Sequence, residues 1–295
     1  MGTGWRIRAV VPHAADAERL RAPVEAVFSA VISEMSQWDP MSELSRFNRA
    51  PGGTWHAISP GFLAVIDCAL LIAGASDGAF DPAMGQATDY WGFGAASAPS
   101  GVPMRAPVVP AHGWRDIRLD RGKTRLWQPG GVHLDLSGIA KGYAVDDALA
   151  TLGQLGIDSA LVEIGGELAA SGVKPDGMPW WVDLDPIPGL ATRPTRLGLC
   201  SWSVATSGDW QRRRDSGADS WSHTLSPAYR APLRGGSRSA TVLHRACMQA
   251  DALATVMMVM PPDRALDFAN RHDLPVRIVT AAGEVRESAA WRQFG

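Results

Sequence analysis

Hydrophobic positions along the chain alternate between two periods. From Trp5 to Val11 apolar and polar residues alternate, the signature of a half-buried strand. From Asp16 to Met35 the residues Leu20, Val24, Val27, Phe28, Val31, Ile32 and Met35 recur every three or four positions and mark one face of a helix. Ser36 to Asn48 is polar and turn-rich, and Pro51-Gly52-Gly53 breaks it. Ser59-Pro60, a capping residue followed by a proline, opens a second helix through Ile72. Gly, Pro and Asp then crowd Ser76 to Gly85, and Tyr90-Trp91-Gly92-Phe93-Gly94 follows. The Ala-, Ser-, Pro- and Gly-rich run 95–110 reads as a mobile surface loop.

Strands are expected around Ile117 and Leu126, over Val132–Leu136, and from Ser159 to Leu168, ending in Gly165-Gly166. More are expected near Trp180–Leu184, Leu197–Val204, Ala240–His244 and Val276–Thr280. Ala144, Val145, Ala148, Leu149 and Leu152 predict a helix, as do Met248–Met260, stopped by Pro261-Pro262, and Asp263–Arg271. Hairpin-like strand pairs with few βαβ units indicate the α+β class. No repeat and no linker divides the chain, so 1–295 reads as a single domain.

Composition narrows the function classes. The chain has 295 residues, 46% of them hydrophobic and 20% charged, enough for a substantial core. A net charge of −2 argues against a general nucleic-acid or membrane-surface role. No run is long and apolar enough for a membrane span, and the first residues lack a signal peptide's apolar core. As written, the protein is expected in the cytoplasm, or in the periplasm if a leader has been removed. Cys68, Cys200 and Cys247 fit neither a disulfide framework nor a cysteine metal site.

Two stretches carry candidate chemistry. In LDLSGIAKGYAVD, which begins at Leu134, the apolar positions end at Leu136, small residues follow, and a helix begins. A helix N-terminus reached through such a turn presents free N–H groups and partial positive charge, which suits phosphate. Lys141, one of only three lysines, adds a full charge there. An ordinary turn with a solvated lysine fits the same residues. On the last long helix, Asp251 and Thr255 are four apart and share a face. A carboxylate in so apolar a helix needs pairing or a cation, and carboxylate, hydroxyl and carbonyl oxygens are what Mg²⁺ prefers. Asp251 could instead cap the helix N-terminus. Tyr90, Trp91 and Phe93 could cover a flat ring or fill the core.

Taken together and in order, SELSRFN (Ser42–Asn48), GAFDPAMG (Gly78–Gly85), YWGFG, LDLSGIAKGYAVD, EIGGEL (Glu163–Leu168), ATSGDW (Ala205–Trp210), HTLSP (His223–Pro227) and ADALATVMMV (Ala250–Val259) resemble the ApbE family of FAD:protein FMN transferases. The resemblance spans nearly the whole chain. It implies an ApbE-like fold of mostly antiparallel sheets with packed helices in two intertwined subdomains. It implies Mg²⁺ held by Asp251, Thr255 and the main-chain carbonyl of Gly138. It places the flavin nucleotide of FAD, the substrate, against Met35, Ala79, Phe80, Asp81, Asp135, Lys141 and Leu225. Asp251 and His223 carry over as the catalytic residues. The implied reaction passes FMN from FAD to a Thr or Ser hydroxyl of an acceptor flavoprotein and releases AMP. An FAD pyrophosphatase and a flavin-binding protein without turnover are the alternatives. The family's HxxDP motif is HTLSP here, with Ser226 in place of the aspartate, a departure that bears on the acceptor side.

Overall fold

A computed structural model of the chain describes residues 2–13, 16–96, 113–216 and 219–294; the loop expected over 95–110 lies, from residue 97 on, outside them. In chain order the first half comprises strand β1 (Trp5–Ala9), helices α1 (Asp16–Met35) and α2 (Glu43–Asn48), β2 (Thr54–Ala57), α3 (Pro60–Ala75), α4 (Gly85–Tyr90), β3 (Arg118–Asp120), β4 (Arg125–Gln128) and α5 (Ala140–Gln154). The second half adds β5 (Ala160–Ile164), β6 (Glu167–Ser171), β7 (Trp180–Asp183), β8 (Arg196–Leu199), β9 (Ser203–Gly208), β10 (Arg213–Ser216), β11 (Asp219–Ser222), β12 (Leu225–Ser226), β13 (Ala231–Pro232), β14 (Ser237–His244), α6 (Cys247–Val259), α7 (Pro262–Arg271), β15 (Val276–Thr280) and β16 (Val285–Glu287).

A seven-stranded sheet in the order β1-β5-β6-β9-β14-β15-β16 organises the molecule, and neighbouring strands in it run antiparallel. Helices α5 and α6 pack on this sheet and on each other, and α1 packs on α5. The main core fills the space between, with Phe62, Ile66, Leu134, Ile139, Leu152 and Ile164 fully enclosed. Each such side chain contributes about 1.5–3 kcal/mol relative to exposure. A second cluster around Trp180, Leu199 and Leu243 lies under β7 and β8. A small third cluster of Met84, Ala87, Trp91 and Leu225 sits beside β12.

Three features depart from the expected elements. The run 197–204 is not one strand: β8 ends at Leu199 in a two-stranded sheet with β7, and β9 begins at Ser203 in the seven-stranded sheet. The segment 132–136 forms no strand ladder, although it alternates like one. Side-chain amides and loop backbone satisfy it instead. Asn48 bonds both the N–H and the carbonyl of Leu134, at 2.8 and 2.9 Å, Gln128 accepts from the Val132 N–H, and the Asp135 N–H donates to the Pro82 carbonyl. A buried backbone needs partners, and side chains supply them here as well as a strand would. The polar segment 36–48 contains a short helix, α2, whose N-cap Ser42 accepts from the Ser45 N–H.

Candidate active site

The turn at 135–142 and helix α6 meet where α5 crosses α6. Gly142 makes the crossing possible. A Cβ there would stand 2.4 Å from the Cys247 carbonyl oxygen and 2.7 Å from the Met248 Cα, so only glycine lets the two backbones touch. The Gly142 N–H, free because it lies in the first turn of α5, donates to Asp251 Oδ2 at 3.0 Å. Asp251 is therefore not the cap of α6. That role falls to Asp146, which accepts from the Cys247 and Met248 N–H groups at 2.8 and 2.9 Å. Asp251 sits one turn inside the helix, 3% exposed.

Lys141 faces Asp251 from α5, its Nζ 3.5 Å from Oδ1. Its shorter contact is to Glu167 Oε1, at 2.6 Å. Glu167 is the first residue of β6, delivered there by the turn Gly165-Gly166, whose φ values of 62° and 103° favour glycine at both positions. Burial alone would lower the Lys141 pKa, but the Asp251 and Glu167 carboxylates override it and push it up to about 12. The two acids move the other way. Burial, opposed by Lys141, pushes Glu167 up to about 7, and burial, opposed by Lys141 and the Gly142 N–H, raises Asp251. Lys141 is thus a fixed cation between two carboxylates that burial penalises.

Thr255 follows Asp251 by one turn, and its Oγ1 lies 3.1 Å from where a Cβ on Gly138 would stand. A side chain at position 138 would fill this recess, so glycine keeps the Thr255 hydroxyl and the main chain of the turn side by side. Asp135, on the other side of the turn, is braced. Its Oδ1 accepts from the N–H and Oγ of Ser137, and its Oδ2 accepts from Thr88 Oγ1 at 2.7 Å.

These groups open into one cleft of about 810 Å³ that also meets Met35 at the end of α1 and Ala79, Phe80 and Asp81 after α3, a size suited to a large ligand. Met35 and Phe80 are buried in its wall. Asp81 accepts from the Ala83 N–H at 2.8 Å, and burial raises its pKa against that bond. His223 and Leu225 line the same cleft from the far side. The His223 Nδ1 lies 3.2 Å from the Arg212 carbonyl oxygen. A carbonyl can only accept, so Nδ1 carries the proton and Nε2 is left with its lone pair. Burial lowers the His223 pKa; the bond to the Arg212 carbonyl opposes that and the Arg212 and Lys141 charges add to it, so the site favours the neutral ring. Phe93 packs edge-on to it at 6.2 Å, whereas Trp91 turns into the third cluster and donates its indole N–H to the Arg230 carbonyl. The aromatic run thus splits between cleft and core.

The cleft is lined by every residue to which the resemblance gives a metal-binding, flavin-binding or catalytic role, and of the aromatic run by Phe93 but not Tyr90 or Trp91. It adds Glu167, present in the EIGGEL motif but given no role there, along with Thr88 and Thr206. The signal for Glu167 was limited to a carboxylate directly after Gly165-Gly166, since alternation with Leu168 and Ala170 would point it away from the core.

The sequence model described as the ApbE family matches residues 1–278. An FAD:protein FMN transferase of Vibrio cholerae is 32% identical over 284 residues, covering 95% of this chain and 85% of the relative. One of Haemophilus influenzae is 30% identical, covering 98% of this chain and 88% of the relative. The solved flavin transferase ApbE from Vibrio cholerae superposes with a TM-score of 0.89 at 31% identity, covering 100% of this chain and 96% of that one.

Proposed function

The chain belongs to the ApbE family, and we propose that it is an FAD:protein FMN transferase that passes FMN from FAD to a Thr or Ser hydroxyl of an acceptor flavoprotein and releases AMP. The observation that carries this reading is the convergence on one cleft of the buried Lys141–Asp251 pair, the Thr255–Gly138 recess and the imidazole of His223.

The residues fit a small hard cation. Asp251 would supply a carboxylate, Thr255 a hydroxyl and Gly138 a main-chain carbonyl, and the missing side chain at Gly138 lets the Thr255 hydroxyl lie close to the turn. Among the described residues no group of three or more His, Cys, Asp or Glu could hold a metal ion. The mixed oxygen set, with a substrate phosphate completing the shell, is therefore the chemistry on offer, and it is the one Mg²⁺ prefers. When bound, Mg²⁺ supplies charge neutralisation at the pyrophosphate.

Lys141 stays protonated across the physiological range and holds its ammonium at the helix N-terminus, where the pyrophosphate would lie. Charge fixed in advance in a buried site stabilises charge that develops on the departing phosphate. Ala79, Phe80 and Met35 give the flavin ring an apolar wall. The Nε2 of His223 accepts the proton of the acceptor hydroxyl as its oxygen bonds to the FMN phosphorus. The bond from that phosphorus to the bridging oxygen breaks, and AMP leaves with the electron pair.

Incubation with FAD and Mg²⁺, with and without a Thr/Ser-bearing acceptor flavoprotein, tests this. AMP formed only with the acceptor, matched by covalent flavin on it, is expected. AMP formed equally without the acceptor would make the protein an FAD pyrophosphatase, and no AMP under either condition would leave a flavin-binding protein.

A further inference from the structure

The α5–α6 crossing holds one carboxylate more than the proposed reading uses. Glu167 reaches it from β6, with its side chain 6% exposed. Its Oε1 accepts from Lys141, but its Oε2 is fully enclosed and has no hydrogen-bond partner. Of all buried side-chain oxygens and nitrogens among the described residues, only three share that condition, and the other two belong to Trp114 and Ser237, neither of which lines the cleft. A carboxylate oxygen buried without a partner is costly, and native structures rarely tolerate one without a reason. The charges in direct contact are also unbalanced, with Glu167 and Asp251 sharing the single cation of Lys141. Burial makes an uncompensated negative charge expensive unless a proton or a further cation joins it.

We infer that Glu167 is a residue of the divalent-cation site, its Oε1 anchoring Lys141 and its free Oε2 serving the cation together with Asp251. This rests on the reading of Asp251, Thr255 and Gly138 as the cation site. It gives the hairpin turn Gly165-Gly166 a function: the turn sets a carboxylate at the strand's first position, beside the lysine. It also divides the labour between the acids. When a cation occupies Asp251, Glu167 keeps Lys141 from swinging away, because it holds the shorter of the two contacts.

Titration of the FAD-free protein with Mn²⁺, followed by calorimetry and by loss of the free Mn²⁺ paramagnetic signal, tests this without turnover. Glu167→Gln should raise the Mn²⁺ dissociation constant about 10–100-fold, the range typical of residues that support a metal's ligands. Lys141→Met should lower it, because a competing positive charge is gone. Those opposite signs are what a purely structural role for Glu167 would not produce. Wild-type affinity in Glu167→Gln, with Mn²⁺ still bound by the native protein, removes Glu167 from the site and leaves the cation reading intact. Absence of Mn²⁺ binding by the native protein removes both. If the Gln variant does not fold, Glu167→Asp takes its place: it retracts the carboxylate by one methylene, and a weaker affinity supports the assignment while an unchanged one overturns it.

Discussion

The two sides of the cleft are built from different materials. On one side Lys141 and Asp251 stand on α5 and α6, long helices whose inner residues, among them Val145, Ala148, Ala250, Val256 and Met257, are fully buried in the main core. Gly142 locks the two backbones together, and Asp146 ties the start of α6 to α5. On the other side His223 follows the β10–β11 hairpin, most of whose residues are exposed, and Leu225 opens β12, which pairs with β13 over two residues. Leu225 packs into the small cluster around Trp91, and His223 meets Phe93 edge-on. Short ladders and an exposed hairpin mark a region of lower local stability than two helices set in the main core. Charges that must stay fixed are built into the core, and the side that would meet an acceptor protein is built from short hairpins.

If that division is functional, substitutions of the charged residues on the helical side should cost affinity and metal-dependent rate, whereas substitution of His223 on the hairpin side should cost rate alone. The largest effect is expected from Asp251→Ala. Losing several kcal/mol of charge stabilisation at the pyrophosphate corresponds to a fall on the order of 10³-fold in AMP release. Mn²⁺ affinity should fall with it and FAD binding should only weaken. Full activity of this variant in the presence of a chelator would remove Asp251 from the chemistry.

His223→Ala addresses the hairpin side. General-base help is typically worth about 10²–10⁴-fold, so AMP release to acceptor should slow by about that much while the FAD dissociation constant stays close to wild type. Loss of FAD affinity in proportion to rate would make His223 a ligand contact, and the contrast between the two sides would fail. Lys141→Ala sharpens the contrast from the other direction. A charge-assisted bond to phosphate is worth about 1.5–3 kcal/mol, so the FAD dissociation constant should rise about 10–100-fold while that of riboflavin, which lacks phosphate, changes little. Equal losses for the two ligands would place Lys141 away from the pyrophosphate.

The same division explains what the sequence made legible. Helix α1 follows from periodicity because one face of it meets the core, whereas α6 and β15, buried on nearly every side, follow from their unbroken apolar runs and, for α6, from the stop at Pro261-Pro262. Asp251 and Thr255 could be paired because helical spacing is local. The reading of Asp251 as cap or ligand stayed open because the true cap, Asp146, lies 101 positions before the Cys247 N–H that it accepts from. The false strand at 132–136 arose the same way: its backbone partner is the side chain of Asn48, 86 positions away. Glu167 belonged to a recognised motif yet carried no role, since its meaning depends on Lys141 reaching it from another element. On the hairpin side, strands as short as Leu225–Ser226 leave no periodic trace.

The smallest effect is expected from pH, and it runs in opposite directions on the two sides. Burial lowers the His223 pKa below the ordinary 6.5, so the unfolded chain binds the proton more readily. Its contribution to stability is therefore fully present above pH 6.5 and is lost as pH falls through the lowered folded value. Glu167, raised from 4.5 to about 7, behaves oppositely: its contribution is fully present below pH 4.5 and is lost as pH rises through about 7 in the metal-free protein. For transfer, only the neutral imidazole can take the acceptor's proton. The acid limb of kcat should therefore lie below pH 6.5, and lowering the pH from 7.5 to 6.5 should cost less than about half the rate, the loss that an imidazole of ordinary pKa would show. Measuring kcat against pH at saturating FAD, acceptor and Mg²⁺ in the wild type and in His223→Ala checks this, since the variant should lose the limb altogether. A limb that persists in His223→Ala, or one centred above pH 6.5 in the wild type, would assign the proton to a different group and leave the hairpin side without its base.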